Sequence, residues 1–331
     1  MAELKIALVI LNWNGKTLLE QFLPSVVAHS KEADVYVADN ASTDASIEFV
    51  KSTFPSVKII QNTVNDGYAK GYNDALKHIE ADVFCLLNND VEVTKNWLIP
   101  IIDNFKNNPN TAIIQPKLLD YKNRDYFEYA GAAGGFIDKY GYPYCRGRIF
   151  NTIEKDNGQY NDIADIFWAS GACFFVKSSV FRDLNGFDET FFAHMEEIDL
   201  CWRAKNLGYS VTYIGESTVY HVGGATLSNT NPKKTFLNFR NSLFTLTKNA
   251  KGNLFSIVFI RLLLDGIAGI KFLFELKPKH TFAVLKAHFE FYVQLNNLLK
   301  QRQLTNYKAT YYQKISIVFN YFIKKDIKFK S

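Results

Sequence analysis

Cysteine is scarce in this chain, with four in 331 residues, and no Cys-x-x-Cys pair occurs among Cys85, Cys145, Cys173 and Cys201. That spacing argues against a four-cysteine metal site and predicts free, buried thiols in a reducing cytoplasm. The apolar opening MAELKIALVILNWNG lacks a small-residue cleavage site, so it reads as a first buried strand and not as an export signal. No apolar run is free of charge for the width of a bilayer: LFSIVFIRLLLDGIAGIKFLFE (254–275) is interrupted by Arg261, Asp265 and Lys271. Neither a Walker loop nor a G-x-G-x-x-G fingerprint is present, which excludes the two commonest nucleotide-binding signatures. Acidic residues are nearly missing from the last third, where residues 233–331 hold 18 Lys/Arg against 4 Asp/Glu, a balance of +14. Residues 1–232 have the opposite balance, 20 against 29, or −9.

What is present is a chain that is 47% hydrophobic, enough for a large core. Its first half alternates apolar runs with amphipathic stretches. Strands are predicted at Leu4 to Leu11, Asp34 to Ala38, Val57 to Ile60 and Val83 to Leu87, with helices around Leu18 to Val27, Ile47 to Phe54 and Ala75 to Ile79. Near-continuous apolar strands separated by helices imply an α/β sheet covered on both faces. Ligands of such sheets bind outside the carboxyl ends of the strands, and short polar residues gather there: Asn12 and Asn14, then Asp39, Asn40 and Ser42, then Asn88, Asn89 and Asp90. Capping explains Asn40, Ser42 and Asp44 well. Asp39 and Asp90 follow directly on buried strands, where a carboxylate needs a partner. The loop from Asn65 to Asn73, with Gly67 and Gly71, enters a helix and offers backbone N–H groups to a diphosphate.

From 120 to 161 glycine and aromatic residues dominate, which predicts both a lid or binding loop and hairpins closing the sheet edge, with Arg146 and Arg148 as anion contacts. Trp168, followed by Gly171, offers either a ring to stack on a sugar or a core residue. Glu196, Glu197 and Asp199 then crowd one helical turn, and His221 ends a β-rich run ahead of Gly223 and Gly224. Charges at these spacings on a helix are ordinarily solvated or paired. The polar strand ends raise the catalytic alternative.

The blocks ILNWNG (10–15), VADNASTD (37–44), NDGYAKGYN (65–73), LLNNDVEV (86–93), SGACFFVKSSVF (170–181), GFDETFF (186–192), EEIDLCWRAKNLGY (196–209) and VYHVGG (219–224) resemble, in content and order, the family 2 glycosyltransferases, and among them the rhamnosyltransferase-like, non-processive bacterial enzymes. The resemblance spans about residues 5–250. It implies a GT-A fold, a Rossmann-like mixed sheet flanked by helices, and a divalent metal, Mn²⁺ or Mg²⁺. It implies a nucleotide-diphosphate sugar donor, inversion by direct displacement, and a glycan or lipid-linked acceptor in cell-surface polysaccharide synthesis.

Carried over by block, Asn12 and Asn14 would line the nucleotide pocket, and Asp39 would take the base. Asn65, Gly71 and Asn73 would follow the ribose and diphosphate. Asn88 and Asp90 stand at the D-x-D motif, with Asp90 and His221 as metal ligands. Glu197 stands where the family usually has its catalytic aspartate, with Glu196 and then Asp199 next in order. Trp168 and Gly171 would face the acceptor. Two departures stand out: Asn88 replaces the first D-x-D aspartate, and a glutamate occupies the base position. A processive synthase of the same superfamily would need membrane spans and a Q-x-x-R-W motif, and neither occurs. A non-catalytic sugar-nucleotide-binding or scaffold protein is the alternative reading.

The expected organisation is a catalytic domain over 1–232, with a donor half (1–115) and an acceptor half (116–232), and a basic helical region over 233–331. Aromatic and aliphatic residues interleaved with the bases favour an anionic membrane surface over nucleic acid as partner. The sequence therefore predicts a cytoplasmic protein, peripheral on the inner face of the cell membrane. Residues 254–275 are expected to lie in its plane with their bases snorkelling to headgroups; an internal core helix is the other reading.

Overall fold

A computed structural model describes residues 4–223, 231–302 and 310–330. The first half alternates as predicted: β1 (Ile6–Asn12), α1 (Lys16–His29), β2 (Ala33–Asn40), α2 (Ser46–Thr53), β3 (Lys58–Asn62), α3 (Gly67–Leu76) and β4 (Val83–Asn88). There follow β5 (Val91–Val93), α4 (Leu98–Asn107), the long β6 (Thr111–Asp120) and four short strands, β7 (Gly135–Ile137), β8 (Pro143–Cys145), β9 (Arg148–Ile149) and β10 (Thr152–Ile153). Next come β11 (Ile163–Ile166), β12 (Cys173–Lys177), α5 (Ser178–Asp183), α6 (Glu196–Asn206) and β13 (Ser210–His221). The basic region forms α7 (Pro232–Asn249), α8 (Leu254–Phe274), α9 (Pro278–Gln301) and α10 (Ile317–Phe322).

The main sheet runs β11-β13-β6-β12-β4-β1-β2-β3, with β5 added beside β13. β3, β2, β1 and β4 are parallel, β12 runs antiparallel to both β4 and β6, and β13 is parallel to β6, so the sheet is mixed. Alternate residues of β1 feed two cores. Ala7 and Val9 join Tyr72 and Leu76 of α3 on one face, while Ile6, Leu8 and Ile10 join Leu19 and Leu23 of α1 and Ile101 of α4 on the other. The 120–161 segment makes its own small antiparallel sheet, β10-β9-β8-β7. All four cysteines are free and buried. β6 runs through the expected 115/116 boundary, so the two halves share one sheet.

Asn231 caps α7 by accepting from Lys233 N at 2.9 Å, with Pro232 at the first helical position, and Asn253 caps α8 through Ser256 N at 3.1 Å. In α8 the charges point the opposite way from the expectation that Arg261 reaches outward. Arg261 Nε donates to Asp265 Oδ1 at 2.8 Å, its guanidinium stacks 3.8 Å over the Tyr142 ring, and both charged residues are buried against the 138–142 turn. A buried, mutually satisfied pair on the inner face corrects the snorkelling assignment for Arg261.

Candidate functional site

Strand register builds the first part of the site. Asn12 lies opposite Asp39, Asn40 opposite Asn62, and Leu11 opposite Asn88, so short polar side chains share one sheet edge. Buried Asn12 donates to Asp39 Oδ1 and Ser42 Oγ, both at 3.3 Å, and Asp39 also accepts from Ser42 N at 3.0 Å. Asn14 Oδ1 accepts from Thr43 N at 2.7 Å and Asp44 N at 3.2 Å, which fixes the turn after β2. Asn65 Oδ1 accepts from Asn40 Nδ2 at 2.9 Å and Gly67 N at 3.2 Å, pinning the loop ahead of α3 to the end of β2. A Cβ at Gly71 would lie 3.0 Å from both Asn40 Nδ2 and Leu11 Cδ1, so glycine is what lets α3 approach the strand ends this closely.

The second part lies where β4, β5 and β13 meet. His221 pairs with Val91 in the sheet, and its Nε2 sits 3.1 Å from Asp90 Oδ1 and 3.4 Å from Asn88 Nδ2. Its Nδ1 lies 3.3 Å from Glu128 Oε1, and Asp90, Glu128 and His221 are all buried. Burial alone would lower the imidazole's pKa, but the Glu128 and Asp90 carboxylates raise it to about 10. The Asp90 carboxylate, the His221 imidazole once an ion has displaced its proton, and the Asn88 side-chain amide beside them make a partial donor set for a divalent ion that takes its other ligands from water or phosphate. Among the described residues no group of three or more His, Cys, Asp or Glu could hold an ion unaided, so the described set is incomplete. Gly224 lies outside the described residues.

The third part is the first turn of α6. Phe192, His194 and Met195 just before it take φ of 63°, 69° and 75°, a left-handed run that costs on the order of 1–3 kcal/mol per residue. Asn241 of α7 holds this run by donating to the carbonyls of Phe191, Ala193 and His194 at 3.0, 2.9 and 2.7 Å, and Arg240 donates to Thr190 O and Phe191 O at 3.0 and 3.2 Å. Glu196 and Glu197 follow. The Oε2 atoms of both are covered and without a hydrogen-bond partner among the described residues. Burial, and then the neighbouring Glu197, pushes the Glu196 carboxyl well above its usual range. Burial also pushes Glu197 up to about 7, against backbone N–H groups at the helix start that pull it down. His194 is held down to about 4 by burial and by the charge of Lys234.

The segment Ser170–Ala172 joins the second part to the third. Asn88 N donates to Ala172 O at 2.9 Å, Tyr68 Oη donates to Gly171 O at 2.8 Å, and a Cβ at Gly171 would lie 3.8 Å from Glu197 Cδ. Asn88 and Glu197 thus flank one short stretch of backbone.

Several expected site residues lie elsewhere. Trp168, expected on the acceptor, is buried, with its indole N–H donating to Phe136 O at 2.9 Å and its ring filling the space beside Gly135; it is a core residue. Asp199, third in order as base, is fully buried and accepts from Arg203 at 2.7 Å and Asn249 at 2.8 Å, with Lys248 3.1 Å away. Burial would raise its pKa, but the Lys248 and Arg203 charges outweigh it and hold Asp199 low, so it is a structural anion. Asn73 donates to Phe187 O and accepts from Phe187 N, both at 2.9 Å, so its amide is used to tie α3 to the loop before α6. Arg146 pairs with Asp162, and Arg148 lies over Tyr129; neither extends to the strand ends.

Sequence reasoning missed Glu128, Tyr68, His194 and the bonding roles of Arg240 and Asn241. No spacing links Glu128 to His221. Arg240 and Asn241 could have been found as an uninterrupted polar pair inside an otherwise amphipathic helix.

The family model "Glycosyl transferase family 2" matches residues 7–184. Among curated proteins, the N-acetylglucosaminyl-diphospho-decaprenol L-rhamnosyltransferase of Mycobacterium tuberculosis is 25% identical over 222 residues, covering 61% of this chain and 71% of that protein. The low-salt glycan biosynthesis hexosyltransferase Agl10 of Haloferax volcanii is 21% identical over 204 residues, covering 60% of this chain and 61% of that one. Among solved structures, GalNAc-T7 with UDP, GalNAc and Mn²⁺ superposes with a TM-score of 0.59 at 16% identity, over 74% of this chain and 48% of its own. The mannosyltransferase PcManGT from Pyrobaculum calidifontis, in complex with GDP-Man and Mn²⁺, gives 0.55 at 12%, over 88% and 87%. This chain thus spans about half of GalNAc-T7 and most of PcManGT. The likeness shows the expected fold, the GT-A mixed sheet with a helical C-terminal region.

Proposed function

Because this chain belongs to glycosyl transferase family 2, we propose that it moves a single sugar from a nucleotide-diphosphate sugar to a hydroxyl of a glycan or lipid-linked acceptor. The observation that carries this reading is the pair of sites on the Gly171–Ala172 backbone: the Glu197 carboxyl beside Gly171, and Asn88, which is bonded to Ala172 O and sits next to the His221–Asp90 pair. The donor nucleotide would lie along Asn12, Asn14, Asp39, Asn65 and Gly71. Asn88 and Asp90 would meet the diphosphate with a divalent ion, Mn²⁺ or Mg²⁺. When bound, that ion would offset the negative charge that grows on the leaving diphosphate. Glu128, behind the imidazole, would orient it for its ligand role. Glu197 would accept the proton of the acceptor hydroxyl. The acceptor oxygen then bonds to the anomeric carbon as the bond to the diphosphate oxygen breaks, its electron pair leaving on the diphosphate, with inversion.

Three observations favour Glu197 over its neighbours as base. Asp199 is bound to Arg203 and Asn249 with Lys248 beside it, burial and the neighbouring Glu197 push the Glu196 carboxyl well above its usual range, and Glu197, pushed up to about 7, lies beside Gly171. The named activities of the curated relatives, rhamnosyl and hexosyl transfer, support a hexose or deoxyhexose donor.

The test is thermal-shift and calorimetric screening of sugars carried on uridine, guanosine and thymidine diphosphates, with and without Mn²⁺. A donor at 100 times its Kd should stabilise the protein by about 2.7 kcal/mol. That gain should require the metal and vanish in Asp90→Ala. Donor binding that is indifferent to both would defeat the assignment of the metal site. Metal-dependent donor binding with no transfer to any acceptor, and none changed by Glu197→Gln, would favour the non-catalytic reading that Asn88 keeps open.

A further inference from the structure

α8 and α9 are turned inside out for a solvated helical hairpin. Arg261 and Asp265 of α8 are paired against the catalytic domain, while Phe255, Phe259, Leu263, Ile267 and Ile270 form one outward stripe at successive spacings of three and four. Phe255 is 80% exposed, and at the α8–α9 turn Phe274 and Leu276 are 84% and 89% exposed. α9 continues the surface with Phe282, Leu285, Phe289 and Val293, all more than half exposed. α10 belongs to the same face, because Lys271 of α8 lies 5.6 Å over the Phe322 ring, with Phe319 and Ile323 exposed beside it. An exposed apolar surface of this extent marks an interaction site.

We propose that this face docks in the plane of an anionic lipid bilayer, its apolar stripe in the acyl boundary and its lysines at the headgroups. The charges select the occupant. Lys271, Lys277, Lys279 and Lys286 are exposed around the stripe. The acids of α8 and α9 are already taken: Asp265 by Arg261, Glu275 by Lys271 and Lys277, and Glu290 by Arg240. A second copy of this chain would bring the same cationic rim against this one, within a region of net charge +14. An anionic leaflet meets both the apolar stripe and the cationic rim. No helix among the described residues is long and apolar enough to cross a membrane, which fits docking in the plane.

The docked face is one helix away from the catalytic turn. Glu290 of α9 pairs with Arg240 of α7 at 3.1 Å, and Arg240 and Asn241 hold the carbonyls just ahead of Glu196 and Glu197. Docking stands on these surfaces whether or not the sugar acceptor is lipid-linked.

The test is flotation of the full chain with vesicles of phosphatidylcholine, with and without phosphatidylglycerol. The protein should float with the anionic vesicles at low salt and be released at high salt. Phe259→Glu combined with Ile267→Glu should weaken binding at least tenfold with an unchanged melting temperature. Lys277→Ser combined with Lys279→Ser, a pair at exposed positions, should weaken binding to anionic vesicles by a similar factor. Recovery in the unbound fraction, equal binding to neutral vesicles, or a lipid-free dimer that the Phe259/Ile267 variant abolishes would each overturn the proposal, the last assigning the face to a second copy.

Discussion

Ionisation of Glu197 should set the pH dependence of transfer. Burial pushes its carboxyl from 4.5 to about 7. About one molecule in eleven then carries the carboxylate at pH 6 and about ten in eleven at pH 8, so the rate at saturating donor should climb about tenfold over that range. Glu197→Gln keeps the size of the side chain and removes the proton acceptor, and should lower kcat by roughly 10²–10⁴ while leaving donor binding unchanged.

The same shift makes an independent statement about stability. A group whose folded pKa is raised contributes stability that is complete below the unfolded value and lost as pH rises through the folded one. Between pH 4.5 and about 7 the parent protein should therefore lose about 3 kcal/mol that the glutamine variant retains. At pH 8 the variant should be inactive yet harder to unfold, an outcome that a merely damaged protein cannot give. Initial-rate profiles from pH 6 to 8 and urea unfolding at pH 5 and 8 measure both arms. Activity within threefold of the parent, a rate limb near pH 7 that survives in the variant, or equal stability at pH 8 would refute the assignment.

Removing the Asn241 amide by Asn241→Ala withdraws a donor from three carbonyls, of which Phe191 O keeps Arg240 and Ala193 N while those of Ala193 and His194 lose theirs; thermal unfolding should show a loss of about 2–3 kcal/mol, and kcat should fall more than donor affinity. Lys248→Met strips buried Asp199 and partly buried Asp188 of their shared cation while Asp199 keeps Arg203, which should destabilise the protein by roughly 3 kcal/mol, the low end of the range for a broken buried pair, in urea unfolding at neutral pH. Glu128→Gln withdraws the carboxylate behind His221, and calorimetry should show Mn²⁺ affinity in the presence of donor reduced about 10–100-fold.

The α/β alternation was readable because β1 and β4 are near-continuous apolar runs, a pattern that only a sheet buried on both faces produces. The polar strand ends were readable for the same reason: parallel register brings Asn12 beside Asp39 and Leu11 beside Asn88 with no information beyond the strand boundaries. Partners from distant segments were not. Glu128 reaches His221 from the loop after β6, and Asn241 reaches the turn ahead of α6 from a helix 45 residues on from Glu196. Trp168 was misread because an indole beside small residues suits a sugar platform and a tight core equally well; the close approach of Gly135 decides for the core. In α8, composition marked a helix both apolar and charged but could not orient it. Arg261 and Asp265 are four residues apart, and satisfying each other let both turn inward.

The three acids at the head of α6 show why neighbours in sequence separate in environment. A helix advances about 100° per residue, so Glu197 points roughly 160° away from Asp199. Asp199 consequently faces α7 and meets Lys248 and Asn249, whereas Glu197 faces Gly171 and Tyr68. Glu196 lies between these directions, where burial and the neighbouring Glu197 push its carboxyl well above the usual range. A carboxylate at a helix N-terminus is ordinarily favoured by the backbone N–H groups there, and those groups do pull Glu197 down. Burial outweighs them only in part, which leaves the group ionisable near neutrality and still basic. The left-handed residues lie directly ahead of the helix start whose N–H groups oppose the burial of Glu197. Asn241 holds those residues, so if Glu197 is the base, Asn241→Ala should move the pH limb of transfer away from 7 as well as lower its height.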